Sequence, residues 1–198
     1  MTPGKERHAS LETLPNFDLA PGARLSAQFI FHGNRDFHAA ARYVRQLPYG
    51  RNSDRSNYGL VLAELRGTCS TKQALLAALA HEHDSPVELR LGIYEMDGDN
   101  TPGVGPVLRR HGLDGVPEAH CYLAYLGLRV DLIRAEPTEP VDDFLHEETI
   151  EPEGIGAYKV DTHRRFVREW ALQRDLDFEQ VWRIREECIL TLSERVNT

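Results

Sequence analysis

The fold turns on one stretch of the chain, Gly67-Thr68-Cys69-Ser70-Thr71-Lys72-Gln73-Ala74-Leu75-Leu76-Ala77-Ala78-Leu79-Ala80-His81. From Gln73 onward it is dense in Ala and Leu, as a stable helix is, and Thr68, Ser70 and Thr71 are residues that cap one. Cys69 is therefore expected at or beside a helix N-terminus. A thiol is a strong nucleophile only as its thiolate, and the unpaired N–H groups and dipole of a helix N-terminus favour negative charge. The same N–H groups can stabilise the oxyanion formed when sulfur attacks a carbonyl.

Working outward, Val87 to Met96 alternates Val87, Leu89, Leu91 and Ile93 with Glu88, Arg90 and Gly92, the period of two that marks a half-buried strand. Glu118 to Leu126 and Leu128 to Ile133 are two more apolar strand candidates, separated by Gly127, which can supply the positive φ of a tight turn. With Leu126 and Gly127 as a two-residue turn, Tyr125 faces Leu128, Tyr122 faces Asp131 and His120 faces Ile133. His120 and Asp131 then share one face as diagonal neighbours, about 7 to 8 Å apart at the backbone, which their side chains can span. A carboxylate that orients a histidine, beside a thiol at a helix N-terminus, is the arrangement of cysteine and serine triads.

In this order and context the residues resemble the transglutaminase-like superfamily: Gly67-Thr68-Cys69 opening a helix, a strand over Val87 to Met96, then a His strand with His120 and an Asp strand with Asp131. The resemblance covers roughly residues 60 to 133. It implies an α+β, papain-like core, with the catalytic Cys at a helix N-terminus packed on an antiparallel sheet. It also implies a Cys69, His120, Asp131 triad performing acyl transfer or amide hydrolysis on a peptide, protein or small amide. Tyr122 stands two residues after the His, where members often carry Trp, and Leu132 follows the Asp, where they often carry Pro. Tyr122 is accordingly a candidate substrate contact, and Asn57 and Tyr58 are candidates to complete the oxyanion hole. The alternative of a different class is a catalytically silent member that keeps the fold as a binding or scaffolding module.

Composition narrows the partners. With 23 basic against 31 acidic side chains in 198 residues the formal charge is -8, a field that repels polyphosphates, so no nucleic acid is expected. His163-Arg164-Arg165 and Arg183 to Arg185 are interleaved with Glu169, Glu186 and Glu187, as on a solvated helix face. Three cysteines, Cys69, Cys121 and Cys188, are an odd number without repeated spacing, which argues for reduced thiols and a cytoplasmic address. No apolar run of membrane-spanning length occurs, and no membrane partner is expected. His81, His83 and Asp84 lack the spacing of metal ligands and read as a polar helix end, Lys72 reads as a solvated helix charge, and no metal or cofactor is expected.

The remaining segments frame this core. Residues 1–24, with Pro3, Pro15 and Pro21, read as a loosely held arm before a single domain over 25–198. Asp36 to Gln46 has helical spacing and ends before Pro48. Asp97 to Pro117 has five Gly and three Pro and reads as a long functional loop that gates the site. Ala135 to Gly156, Pro-rich and acidic, reads as an irregular surface segment. Two additional C-terminal helices are expected within 161–196, over Asp161 to Gln173 and Phe178 to Val196, with Asp175 or Asp177 as cap between them.

Overall fold

The computed structural model describes residues 9–133, 141 and 143–195. Helix α1 (Arg24–Phe31), α2 (Phe37–Gln46), α3 (Leu60–Glu64) and α4 (Cys69–His81) come first. After them come β1 (Glu88–Asp97), α5 (Gly105–Arg110), β2 (Gly115–Tyr125), β3 (Leu128–Val130), β4 (Phe144–Ile150), α6 (Ala157–Gln173) and α7 (Phe178–Arg195). The four strands form one antiparallel sheet in the order β3-β2-β1-β4. The chain is therefore α+β, with the helices distributed over both faces of an antiparallel sheet.

Helix α4 is the centre of the larger core. Every residue from Ser70 to Ala80 is buried, and a helix buried all round is one with neighbours all round. It packs on β2 and is flanked by α1, α2 and α3. One sheet face, made of Leu89, Leu91 and Ile93 paired with Leu123, Cys121 and Ala119, belongs to this core. The opposite face carries Tyr94, Met96 and Val116 into a second core with Trp170 of α6, Ile184 and Cys188 of α7, and Val107 and Leu108 of α5. With both faces covered, β2 is buried over ten of its eleven residues.

The β2–β3 hairpin has the register expected of a two-residue turn: Tyr125 pairs with Leu128, Ala124 with Arg129 and Leu123 with Val130. Leu126 and Gly127 both have positive φ, 51° and 72°, the type I′ geometry that matches strand twist. The ladder stops at Val130, so β2 is paired on its β3 side only over 123–125. Alongside His120 and Cys121 that edge is open, and the first turn of α4 and Asp131 reach His120 and Cys121 there. Gly92, opposite His120 on β1, is required because the Phe144 ring occupies the volume a side chain would fill.

Three expectations are corrected. Residues 9–24 are not loosely held: Leu11, Leu14 and Leu19 are buried in the larger core, and the Ala9 N–H bonds the Arg129 carbonyl. Residues 1–8 lie outside the described residues. The 97–117 segment is not one long loop. Asp97 Oδ1 accepts from the N–H groups of Asp99 and Asn100, helix α5 comes next, and apolar Val104, Val107 and Leu108 seal it into the second core. Within the acidic 135–156 segment, 144–150 forms the edge strand β4, because Phe144 and Ile150 are half-buried and buried against β1 and the half-buried Glu147 and Glu148 accept hydrogen bonds from Tyr122, Arg129 and Tyr158. Residues 134–140 and 142 lie outside the described residues. The C-terminal helices lie where expected, α6 starting four residues earlier at Ala157, and Asp177 is the cap of α7, accepting from Gln180 N at 2.8 Å.

Candidate active site

Thr68 caps α4 with a reciprocal box: its side chain accepts from Thr71 N–H and the Thr71 hydroxyl accepts from Thr68 N–H, so two of the orphan donors of the helix are used and Cys69 is left at its first turn. The four residues after Cys69 are unusual for a helix interior. Ser70, Thr71, Lys72 and Gln73 are all buried, and burying polar groups without partners costs stability. Their partners reveal the purpose. Thr71 Oγ1 donates to Asn52 Oδ1 at 2.8 Å, Lys72 Nζ donates to the Leu47 carbonyl at 2.5 Å, and Gln73 Nε2 donates to Asp131 Oδ1 at 3.1 Å. Lys72 is thus not a solvated helix charge but a buried tether, 2% exposed, which burial pushes down to about 8 against the pull of the Cys69 charge.

Asp131 comes directly after β3 and is held on three sides. It takes the Gln73 amide and, in an Asx turn, the Ile133 N–H at 3.1 Å on Oδ1, while Oδ2 lies 2.5 Å from His120 Nε2. An ionised carboxylate has no proton to give, so Nε2 is the donor and the imidazole is turned with Nδ1 free to face elsewhere. Tyr94 and Tyr122 flank the His120 ring, with centroids 6.5 and 6.3 Å away. The Gln73 amide cannot flip without setting its oxygen against the carboxylate, so its orientation is determined, and its Oε1 is buried without a hydrogen-bond partner among the described residues.

Cys69 and His120 perturb one another. Burial raises the Cys69 thiol, but the adjacent His120 charge overrides it, with smaller help from Lys159 and from the Cys121 backbone, and brings it down to about 6. Burial would lower His120; the charge of Asp131, then that of Cys69, raises it instead to about 9. Between those values the favoured state is thiolate beside imidazolium. The other two thiols go the opposite way: burial pushes Cys121 up to about 12 and Cys188 up to about 11.

Cys69 sits where two hollows meet. On one side a cleft of about 940 Å³ holds Cys69, His120 and Asp131, with a rim from Asn100, Thr101 and Pro102; the expected gating segment contributes this short rim only. On the other is a small cavity of about 90 Å³ against α6 and α7. Tyr49 lines both, next to the sulfur, and burial and then the Cys69 charge raise its phenol well above the ordinary value, so it stays protonated.

The structure brings Cys69, His120 and Asp131 together, packs Tyr122 against the His120 ring but outside both hollows, and places Asn57 and Tyr58 away from them. Tyr122 is fully buried on the same sheet face as His120, two residues along β2, with its hydroxyl bonded to Glu147 and its ring under the Arg129 guanidinium, so it packs beside the His120 ring and lines neither hollow. Asn57 caps the Gly59 N–H in an exposed turn, and Tyr58 donates to Glu153 at 2.9 Å. Neither lines the hollows around Cys69. Sequence reasoning missed Gln73 and Tyr49. Gln73 had a signal, since i and i+4 on a helix share a face and Cys69 and Gln73 are so spaced. Tyr49 had none, because a parallel bridge between Tyr49 and Gly67 is what brings it beside the helix start.

Among the described residues no three His, Cys, Asp or Glu side chains converge as metal ligands would, and no helix is long and apolar enough to cross a membrane. No protein-family model, curated protein or solved structure matches the chain.

Proposed function

We propose that the protein is a thiol enzyme of the transglutaminase-like, papain-like kind, performing acyl transfer or amide hydrolysis with Cys69 as nucleophile, His120 as acid and base, and Asp131 as the residue that orients His120. The observation that carries this reading is convergence: three side chains from a helix start, a strand and the end of a hairpin meet in one open cleft, linked by the 2.5 Å contact of His120 with Asp131. A purely structural cysteine in a core is expected to have a raised pKa, as Cys121 and Cys188 do.

In the reaction, the Cys69 thiolate attacks a substrate carbonyl carbon and a tetrahedral oxyanion forms. The first-turn N–H groups of α4 and the protonated Tyr49 hydroxyl surround the sulfur and supply donors for that oxyanion. His120 gives its proton to the leaving amine, the C–N bond breaks, and an acyl-thioester remains on Cys69. Water or an amine then attacks the thioester while the now neutral His120 takes a proton, and Cys69 leaves as thiolate. Asp131 keeps the ring in one orientation throughout and stabilises the imidazolium.

Mixing the protein with excess p-nitrophenyl acetate tests this directly. One equivalent of p-nitrophenol is expected in a burst, with a single acetyl group that peptide mapping locates on Cys69 and that Cys69→Ala abolishes. Acetylation scattered over lysines, with no burst, would contradict the nucleophile.

A further inference from the structure

The small cavity beyond Cys69 is bordered by several charged side chains. Arg185 clamps Glu118 with Nε and Nη2 at 2.5 and 2.6 Å, its Nη1 lies 2.6 Å from Glu186, and Arg51 reaches the same Glu186 at 2.7 Å. Those two cations and two carboxylates neutralise one another. His163 donates Nε2 to the Pro117 carbonyl at 2.9 Å, and burial holds it down to about 4, so it is uncharged at neutral pH. Lys159 and Arg55 remain: both line the cavity, and neither has a hydrogen bond or ion pair among the described residues. Two cations that form no ion pair among the described residues, one of them Lys159, whose charge also favours the Cys69 thiolate, therefore border a hollow of about 90 Å³ whose opposite wall is the Cys69 sulfur and the first turn of α4.

We propose that this cavity is an anion subsite that takes a carboxylate of the substrate and holds it against Lys159 and Arg55 while the scissile carbonyl lies at Cys69. This deepens the enzyme reading above and rests on it for the word substrate. The volume admits one compact group and not a side chain of any length, so the carboxylate is close to the reacting carbonyl, as in a chain-terminal residue or a short dicarboxylic acid derivative. Against a net charge of -8, this local excess of positive charge stands out.

Alkylation separates this subsite from the triad. Iodoacetate and iodoacetamide attack through the same thiolate, so in the ratio of their rates the ionised fraction of Cys69 cancels, and only the response to the reagent's carboxylate remains. Relative to the same ratio for glutathione, Cys69 is expected to favour iodoacetate by about tenfold, the worth of one charge-assisted contact. Lys159→Gln is expected to return the ratio most of the way to that of glutathione, and Lys159→Arg to restore it; acetate at constant ionic strength is expected to protect against iodoacetate. A wild-type ratio equal to that of glutathione, or one that Lys159→Gln leaves unchanged, would overturn the subsite. Protection by inorganic phosphate but not by acetate would overturn its assignment to a carboxylate. Failure of the triad reads out separately, as an iodoacetamide rate that rises only near pH 8.5, whatever the ratio does.

Discussion

Replacing His120 by alanine is expected to slow iodoacetamide labelling of Cys69 at pH 6 by at least about tenfold. With a thiol at about 6, half the wild-type molecules carry the thiolate at that pH. Without His120 the largest favourable influence is gone, burial is unopposed, and the thiol returns to about 8.5 or above, leaving roughly one thiolate in three hundred. The more basic thiolate is intrinsically more nucleophilic, which returns about a factor of ten. The product of the two is the net loss. An unchanged rate in the variant, measured on folded protein by mass spectrometry, would mean that His120 does not act on Cys69.

The second large effect is on stability and comes from the far wall of the small cavity. Glu118 and Arg185 are each less than a tenth exposed and bond bidentately, tying β2 to α7. Burial raises the Glu118 carboxyl, but Arg185 outweighs it and holds it down to about 2. Arg185→Gln strands that carboxylate in the interior, and breaking such a pair from one side costs about 3 to 5 kcal/mol. For a chain of this size that is roughly a 10 °C fall in Tm. The pH dependence comes from the direction of the shift. A depressed carboxyl stabilises the wild type above its unfolded value of 4.5 and loses that contribution as pH falls toward 2. In the variant the carboxyl is raised instead, so acid relieves it. The stability difference is therefore expected to be largest near pH 7 and to narrow below pH 4.5 in denaturant titrations. A difference that stays constant with pH would contradict the buried-charge account.

What can be read from the sequence is what depends on local pattern. The capping residues and the Ala and Leu run place Cys69 at the start of α4, and alternation over 87–96 places β1 within one residue at each end. A glycine between two apolar runs locates the β2–β3 turn and its register, and from the register comes the approach of Asp131 to His120. Where tertiary burial decides, the pattern is silent. Nothing in 9–24 distinguishes three leucines that dock on the core from three in a solvated arm. Edge strand β4 is hidden by its acidic residues and by a register shift that sends its apolar ends, Phe144 and Ile150, into the two different cores, so no regular alternation marks it. In the fragment Asp97 to Pro117 the glycines mark turns at both ends of α5, while Val104, Val107 and Leu108 carry the helix signal.

The same division holds within the site. Cys69, His120 and Asp131 can be found because each sits at a recognisable point of a local element. Tyr49, Lys159 and Arg55 cannot, because they arrive at Cys69 from segments about 20 or 90 residues away or from a turn without periodicity. For Tyr122, strand alternation gives a face but not which face opens to solvent; here the covering of that face by Arg129 and Phe144 decides, and the ring is packing rather than a substrate contact. The oxyanion candidates Asn57 and Tyr58 are near in sequence to the helix but are absent from the walls of both hollows.

Cys69 alone among the three thiols is held as a thiolate near neutral pH, because His120 and Asp131 make it so. Iodoacetamide labelling of the native protein across the range from about pH 5 to 9, with adducts located by mass spectrometry, measures this for each cysteine in one series. The expected result is a half-maximal rate for Cys69 close to about pH 6, with Cys121 and Cys188 unlabelled across the range until the chain is unfolded. Labelling of Cys69 that rises only near about pH 8.5, or that is no faster at pH 6 than labelling of Cys121, would contradict it.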